Sequence, residues 1–231
     1  MAKRKKKRPP HVAADLSTAD GRRRAWRELI WGDHGFLRLR FQNLHQISDE
    51  MWRSNQPSPK QIAEHVRLRG IRTIVNLRGV STKGYYLLEK EACAAEGVEL
   101  VDFQVFSRDT PTPETIFAAR DLFGSITYPA LMHCKSGADR AGLMSVLYKL
   151  LRQDDDFDTA IKQLSLRYLH VEAGKTGMLD AVFKAYDRFR QEAPKPFLDW
   201  VSEDYDRIAI KADFMASFQS RMNLDRILRR E

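Results

Sequence analysis

The sequence predicts an α/β protein: a small parallel β-sheet flanked by helices, with helical N- and C-terminal extensions. Three observations lead there. Short runs rich in aliphatic and β-branched residues recur at 71–77, 98–105 and 130–133. Stretches with apolar residues at helical spacing separate them, and strands alternating with helices point to parallel pairing through right-handed crossovers. At 231 residues and 43% hydrophobic content, the chain can bury a core and is too apolar to be disordered throughout.

In order along the chain, Lys3 to Arg8 is a run of six basic residues without an acid. It holds most of the +8 formal charge: without it, 33 Lys+Arg face 31 Asp+Glu. Such a block repels itself and is expected to form a disordered tail at 1–10, with at most weak, salt-sensitive contact to anionic lipid or nucleic acid. No apolar segment follows that would make a secretory signal, and no run approaches the eighteen apolar residues of a membrane span.

The segment 11–43 reads as an N-terminal extension. Ser17 or Thr18 caps a helix through Ala25, Trp26, Leu29 and Ile30, which Gly32 and Gly35 end. Phe36 to Ile47 alternates loosely, as a strand or an irregular wrap. The catalytic domain is expected at 44–193. Pro57-Ser58-Pro59 opens a helix that Gly70 stops, and Ile71 to Leu77 follows as a buried strand. A helix over Tyr86 to Glu96 ends at Gly97, and Val98 to Val105 is the second strand. A polar turn from Ser107 to Pro113 leads into a helix over Ile116 to Phe123, and Ala130 to His133 is the third strand. Helices are expected at about 141–152, 158–169 and 176–191, the last with a clear apolar stripe. Residues 194–231 read as a C-terminal helical extension after Pro194 and Pro196.

The chemistry concentrates in Leu131-Met132-His133-Cys134-Lys135-Ser136-Gly137-Ala138-Asp139-Arg140-Ala141-Gly142. A cysteine ends a buried strand, where open α/β sheets bind ligands. Arg140 follows after five residues, as a helix begins. A loop of this kind can turn the N–H groups of Lys135, Ser136, Gly137, Ala138, Asp139 and Arg140 onto one centre, aided by the positive helix end. Gly137 permits the curvature, and the Arg140 fork can hold two phosphoryl oxygens. The same surroundings favour the thiolate of Cys134, a nucleophile aimed at a cradled phosphorus. Cys93 sits on a helix without such neighbours and reads as a structural thiol. Two cysteines make no disulfide framework, which fits a reducing, cytoplasmic home.

His133-Cys134-x5-Arg140 resembles the signature of the cysteine-dependent protein tyrosine phosphatases, closest to the dual-specificity branch. Trp52 to Pro57, with Gly70 to Arg78, is similar to the opening of the atypical dual-specificity-like phosphatases of bacteria and fungi, and the resemblance spans roughly 44–190. It implies a protein tyrosine phosphatase-like fold and a phosphoric monoester hydrolase working through a cysteinyl-phosphate. Its substrate would be a phosphorylated protein, on tyrosine, serine or threonine, or a small phosphorylated molecule. No metal or cofactor is implied. The resemblance places the general acid on the loop Val105 to Pro111, where Asp109 lies 25 residues before Cys134. Asp102 and Asp139 are the alternatives, and an ordinary turn carboxylate is the plain reading of Asp109. Ala141 stands where many relatives carry a hydroxyl that steadies the departing thiolate. Lys135 is shared with lipid phosphatases of the superfamily, whereas their second loop lysine is Ala138 here. His170, Glu172, Lys175 and Thr176 are further candidates between two helices.

Three rival functions follow from the same residues. Lys135 and the Asp139-Arg140 pair fit a phosphoinositide or inositol-phosphate phosphatase. Ala141 fits a phosphate-binding module without turnover. A rhodanese-like sulfurtransferase also places a cysteine loop on an α/β core, but with a shorter gap than the one to Arg140.

Overall fold

The computed structural model describes residues 12–228, and of 223–228 the backbone alone. The basic run, and the disorder expected of it, lies outside the described residues. Five strands form one sheet: β1 (His45–Ser48), β2 (Met51–Asn55), β3 (Thr73–Asn76), β4 (Glu99–Asp102) and β5 (Ala130–Cys134), in the order β1-β2-β5-β3-β4. β2, β5, β3 and β4 run parallel, and β1 pairs antiparallel at the edge. The layered fold is the expected one, with two more strands than the aliphatic runs announce.

Helices take up the connections. α1 (Ala19–Arg27) starts at Thr18, whose hydroxyl accepts from the Gly21 N–H, and runs into a π-helical turn over Glu28–Gly32. α2 (Gly35–Arg38) is a single turn. α3 (Pro59–Arg69) carries a capping box between Ser58 and Gln61 and ends at Gly70. α4 (Gly84–Glu96), α5 (Pro113–Ser125) and α6 (Asp139–Leu151) follow β3, β4 and β5 in turn. The chain closes with α7 (Phe157–Ala160), α8 (Met178–Glu192), α9 (Phe197–Glu203) and α10 (Arg207–Leu228). Among the described residues no helix is long and apolar enough to cross a membrane.

Both faces of the parallel sheet are covered, so its strands read as continuous apolar runs. Met132 and Val75 face α5, α6 and α8, joined there by Phe123, Leu147 and Phe183. Leu131 and Ile74 face the opposite way, onto Ile62 of α3 and Cys93 of α4. β5 is central, and all five of its residues are buried. This holds its C-terminal end rigidly at the mouth of the sheet.

Two expectations are corrected. The helix expected over 158–169 breaks after α7 into two 3₁₀ turns, Ile161–Gln163 and Leu166–Tyr168. The break lets the Gln163 carbonyl and side chain receive the Arg53 guanidinium and lays Tyr168 4.2 Å from that guanidinium. The strand expected over 98–105 is shorter: its register with β3 ends at Asp102, though the N–H groups of Phe103 and Val105 still bond the Asn76 and Leu77 carbonyls.

Candidate active site

Cys134 ends β5 opposite Asn55 in the register with β2, and α6 begins five residues later at Asp139. Between them the chain turns sharply at Gly137, with φ +73°. A Cβ there would stand 2.7 Å from the Asn55 nitrogen and the Ser54 carbonyl carbon, so only glycine lets the loop approach β2 this closely.

The four carbonyls of the loop all have donors outside it. Gln56 N–H donates to Lys135 O at 3.4 Å, and Asn43 Nδ2 to Ser136 O at 3.0 Å. Arg53 Nη2 donates to Gly137 O at 2.9 Å and to Ala138 O at 2.8 Å. Carbonyls drawn outward turn the intervening N–H groups the other way. The first N–H groups of α6, which have no partner within the helix, join them. Such an arrangement can receive an anion beside Cys134, which is itself 2% exposed.

Arg53, fully buried, was not among the residues singled out from sequence. Its guanidinium donates to four acceptors, Gly137 O, Ala138 O, Gln163 O and Gln163 Oε1. Burial lowers its pKa to about 10, which leaves it charged at neutral pH. Nothing local in Trp52-Arg53-Ser54-Asn55 marks this arginine as buried.

Lys135, Ser136, Asp139 and Arg140 line one cavity of about 510 Å³. The Arg140 guanidinium lies 3.5 Å from the Leu77 carbonyl at the end of the neighbouring strand. Asp109 is elsewhere. Its carboxylate accepts from Lys211 Nζ at 2.8 Å and Arg207 Nη2 at 3.3 Å, and it lines a separate cavity of about 160 Å³. Partial burial opposes ionisation there, but the Lys211 hydrogen bond and charge hold the carboxyl below its usual range. Asp102 is taken up by Asn76 Nδ2 at 2.7 Å and by the Tyr86 hydroxyl at 2.6 Å. Cys93 is buried in α4, and burial pushes its thiol up to about 12. Ala141 is fully buried and offers no hydroxyl.

Of the late candidates only His170 reaches the site. It is 2% exposed, with Nδ1 2.8 Å from Asp139 Oδ1 and Nε2 2.7 Å from Asp180 Oδ2. Two carboxylates, one at each ring nitrogen, require an imidazolium that donates both ways. Desolvation works against the charge, but the hydrogen bonds to Asp139 and Asp180 outweigh it and raise the pKa to about 9. Glu172 pairs instead with Lys184, and Thr176 donates to the Val171 carbonyl.

The N-terminal segment reaches the mouth. His34, Leu37 and Phe41 line the same cavity as Arg140, together with Leu169. His34 and Leu169 both hold left-handed backbone, at φ +60° and +64°. Each such residue costs about 1–2 kcal/mol, so the lip of this cavity stores strain. Beside it, the buried Asp33 carboxylate pairs with Arg38 at 2.7 Å and Arg78 at 2.8 Å, with Lys135 Nζ at 3.5 Å. Burial opposes its ionisation, yet Arg78 and the other cations hold it below the usual carboxylate range. Behind the cradle, Arg78 also donates to Gln56 Oε1, Gln56 donates to Glu89, and Glu89 lies 2.6 Å from His133 Nε2.

A strand-end cysteine under an N–H cradle, an arginine at the helix start and a mostly parallel sheet define the class: this is a cysteine-dependent phosphatase of the dual-specificity type. Within it, the chain belongs to the family described as DSP-PTPase phosphatase fused to NAD+ kinase, whose model matches residues 42–181. No curated protein matches the chain. Among solved structures, TpbA of P. aeruginosa is similar at 20% identity, over 67% of this chain and 92% of that one, with a TM-score of 0.51. A complex of TpbA with pTyr is similar at 20% identity, over 73% and 90%, with a TM-score of 0.50. The core catalytic domain of the PP-IP phosphatase SIW14 from S. cerevisiae, in complex with citrate, is similar at 14% identity, over 65% and 91%, again with a TM-score of 0.50. These likenesses establish the fold.

Proposed function

We propose that the protein hydrolyses phosphomonoesters on phosphorylated proteins, in the cytoplasm, through a phosphocysteine at Cys134. The Cys134 thiolate attacks phosphorus, the S–P bond forms, and the ester P–O bond breaks. Arg140 and the N–H groups of residues 135–140 carry the charge on the phosphoryl oxygens. Asp109 gives its proton to the departing oxygen. Water then attacks phosphorus and yields a proton to Asp109, the S–P bond breaks, and inorganic phosphate leaves. The outward anchoring of all four loop carbonyls is the observation that carries this reading.

Asp109 is favoured over Asp139 as the acid on the strength of what holds each. Asp139 serves as acceptor for the buried His170. The partners of Asp109 lie at the surface, with Lys211 41% exposed, and ion pairs of that kind contribute about 0–1 kcal/mol. Freeing the carboxylate from Lys211 therefore costs little.

TpbA is seen in complex with pTyr, and SIW14 is described as a PP-IP phosphatase, so the lining of the cavity rather than the fold decides between substrate classes. Cys134→Ser is expected to abolish turnover while phosphate or vanadate binding persists. Acid quenching of the wild type during turnover should show a phosphate adduct on the peptide containing Cys134. Full activity in Cys134→Ser would reject the assignment.

A further inference from the structure

The charge of this protein is not spread over it. Residues 1–41 hold twelve of the 39 Lys+Arg and four of the 31 Asp+Glu, so they carry the whole of the +8. Residues 42–231 balance at 27 against 27. The division falls where the family match begins, at residue 42. From there on the chain is neutral overall, and the segment ahead of it is strongly basic.

The same segment exposes large apolar side chains that the core leaves out. Trp31 is 67% exposed, and Phe36, Leu37, Leu39 and Phe41 lie between 42% and 63%. Most of them join in one stripe. Trp31 lines a groove along α1 with Trp26, Ile30 and three arginines, Arg22, Arg23 and Arg27. Its ring lies 5.6 Å from that of Phe36, and Phe36 meets His34 at 6.3 Å. His34 in turn lines the mouth of the active site with Leu37 and Phe41. An exposed apolar face of this extent marks a surface that a partner covers.

The chemistry of the stripe selects that partner. A second copy of the chain suits it poorly, because symmetric pairing sets the face against itself and brings two strongly basic segments together. An anionic lipid surface suits both halves of the pattern. Arginines meet the headgroup phosphates, while Trp, Phe and Leu enter the boundary beneath them, and the two contributions add. Tryptophan favours that boundary, where its ring is in apolar surroundings and its N–H stays wet. Arg27 and Arg40 are exposed and have no ion partner among the described residues, so their charge is free for phosphate.

We propose that residues 22–41 form a docking surface for an anionic membrane leaflet. Trp31, Phe36 and Leu39 enter the headgroup boundary, Arg27 and Arg40 pair with lipid phosphates, and the active-site mouth is left at the membrane surface. The proposal concerns where the protein sits, and it stands apart from the hydrolysis proposed for Cys134.

Flotation of the full chain with vesicles tests it. One set is phosphatidylcholine alone, and the other is equal parts phosphatidylcholine and phosphatidylglycerol. The wild type should float with the anionic vesicles and stay behind with the neutral ones. Trp31→Ser with Phe36→Ser should weaken binding about tenfold or more. An unchanged melting temperature will show the double variant folded, and Trp31→Ser alone, with a smaller loss, serves if it does not fold. Arg27→Gln and Arg40→Gln should each cost about fivefold at low salt. Anionic vesicles should shift the tryptophan emission to the blue, and Trp31→Phe should remove most of the shift while binding persists. A wild type that ignores the anionic vesicles, or binds the neutral ones equally well, overturns the proposal. Wild-type binding by the folded serine variants also overturns it, since the basic run alone would then account for the contact. A concentration-dependent dimer that Trp31→Ser abolishes would assign the face to a second copy instead.

Discussion

The buried Arg53 guanidinium holds the Gly137 carbonyl at 2.9 Å, tying β2 to the apex of the signature loop. The same Nη2 holds Ala138, and Nη1 holds Gln163. Arg53→Lys keeps a charge but loses the fork that serves separate carbonyls. Turnover should fall about tenfold or more, with vanadate binding weakened in parallel. Arg53→Met leaves dry acceptors at about 1–3 kcal/mol each, and its melting temperature should drop well below that of Arg53→Lys. Wild-type vanadate affinity in Arg53→Lys would show that the loop holds its shape unaided.

Asp109 yields a paired prediction. Asp109→Asn should slow hydrolysis of phosphotyrosine peptide by about 10²–10⁴, the range for removal of a positioned acid. Lys211→Met removes the hydrogen bond and charge that hold the Asp109 carboxyl down. Its pKa then rises, a larger fraction carries the proton near neutrality, and the alkaline limb of the pH–rate profile should move to higher pH. A profile unchanged by Lys211→Met, together with a severe defect in Asp139→Asn, would move the acid role to Asp139.

His170 predicts a pH dependence of stability. Its folded pKa of about 9 lies above the ordinary 6.5, so folding favours the protonated ring. The contribution is complete below about 6.5 and is lost as the pH climbs through about 9. The gap in melting temperature between the wild type and His170→Asn should therefore be largest near pH 6 and shrink towards pH 9.5. A gap constant over this interval would mean that the ring is neutral in the fold.

At Gly137 an added methyl meets backbone at 2.7 Å in a conformation with φ +73°. Gly137→Ala should cost several kcal/mol of combined strain and displacement, read as a lowered melting temperature. Isothermal titration should show inorganic phosphate binding lost with it.

The sequence made the signature loop legible because it is local: cysteine, glycine, arginine and helix start lie within seven residues. β3 and β5 were legible because burial on both faces leaves them aliphatic, and the edge strand β4 because its run carries Val98, Leu100, Val101 and Val105. β2 was not, since Trp52-Arg53-Ser54-Asn55 spends its inward positions on groups that hold the loop, and no propensity marks a buried arginine as a strand residue. The broken helix at 158–169 failed for a related reason. Its residues suit a helix, but the Gln163 carbonyl is claimed by Arg53 across the molecule. Asp33 and Asn43 likewise gain parts through Arg78 and Ser136, partners far along the chain that spacing could not reveal.

The left-handed pair at the lip also sets how this protein would respond to selection for heat tolerance. Replacing His34 and Leu169 by glycine relieves about 1–2 kcal/mol at each position against about 0.5–1 kcal/mol of added chain freedom, so both exchanges favour the folded state. Either one also deletes a side chain from the rim of the cavity. Screens that reward robustness alone would thus drift toward sturdier molecules with a blunter choice of ligand, and the trade would surface first at these two sites.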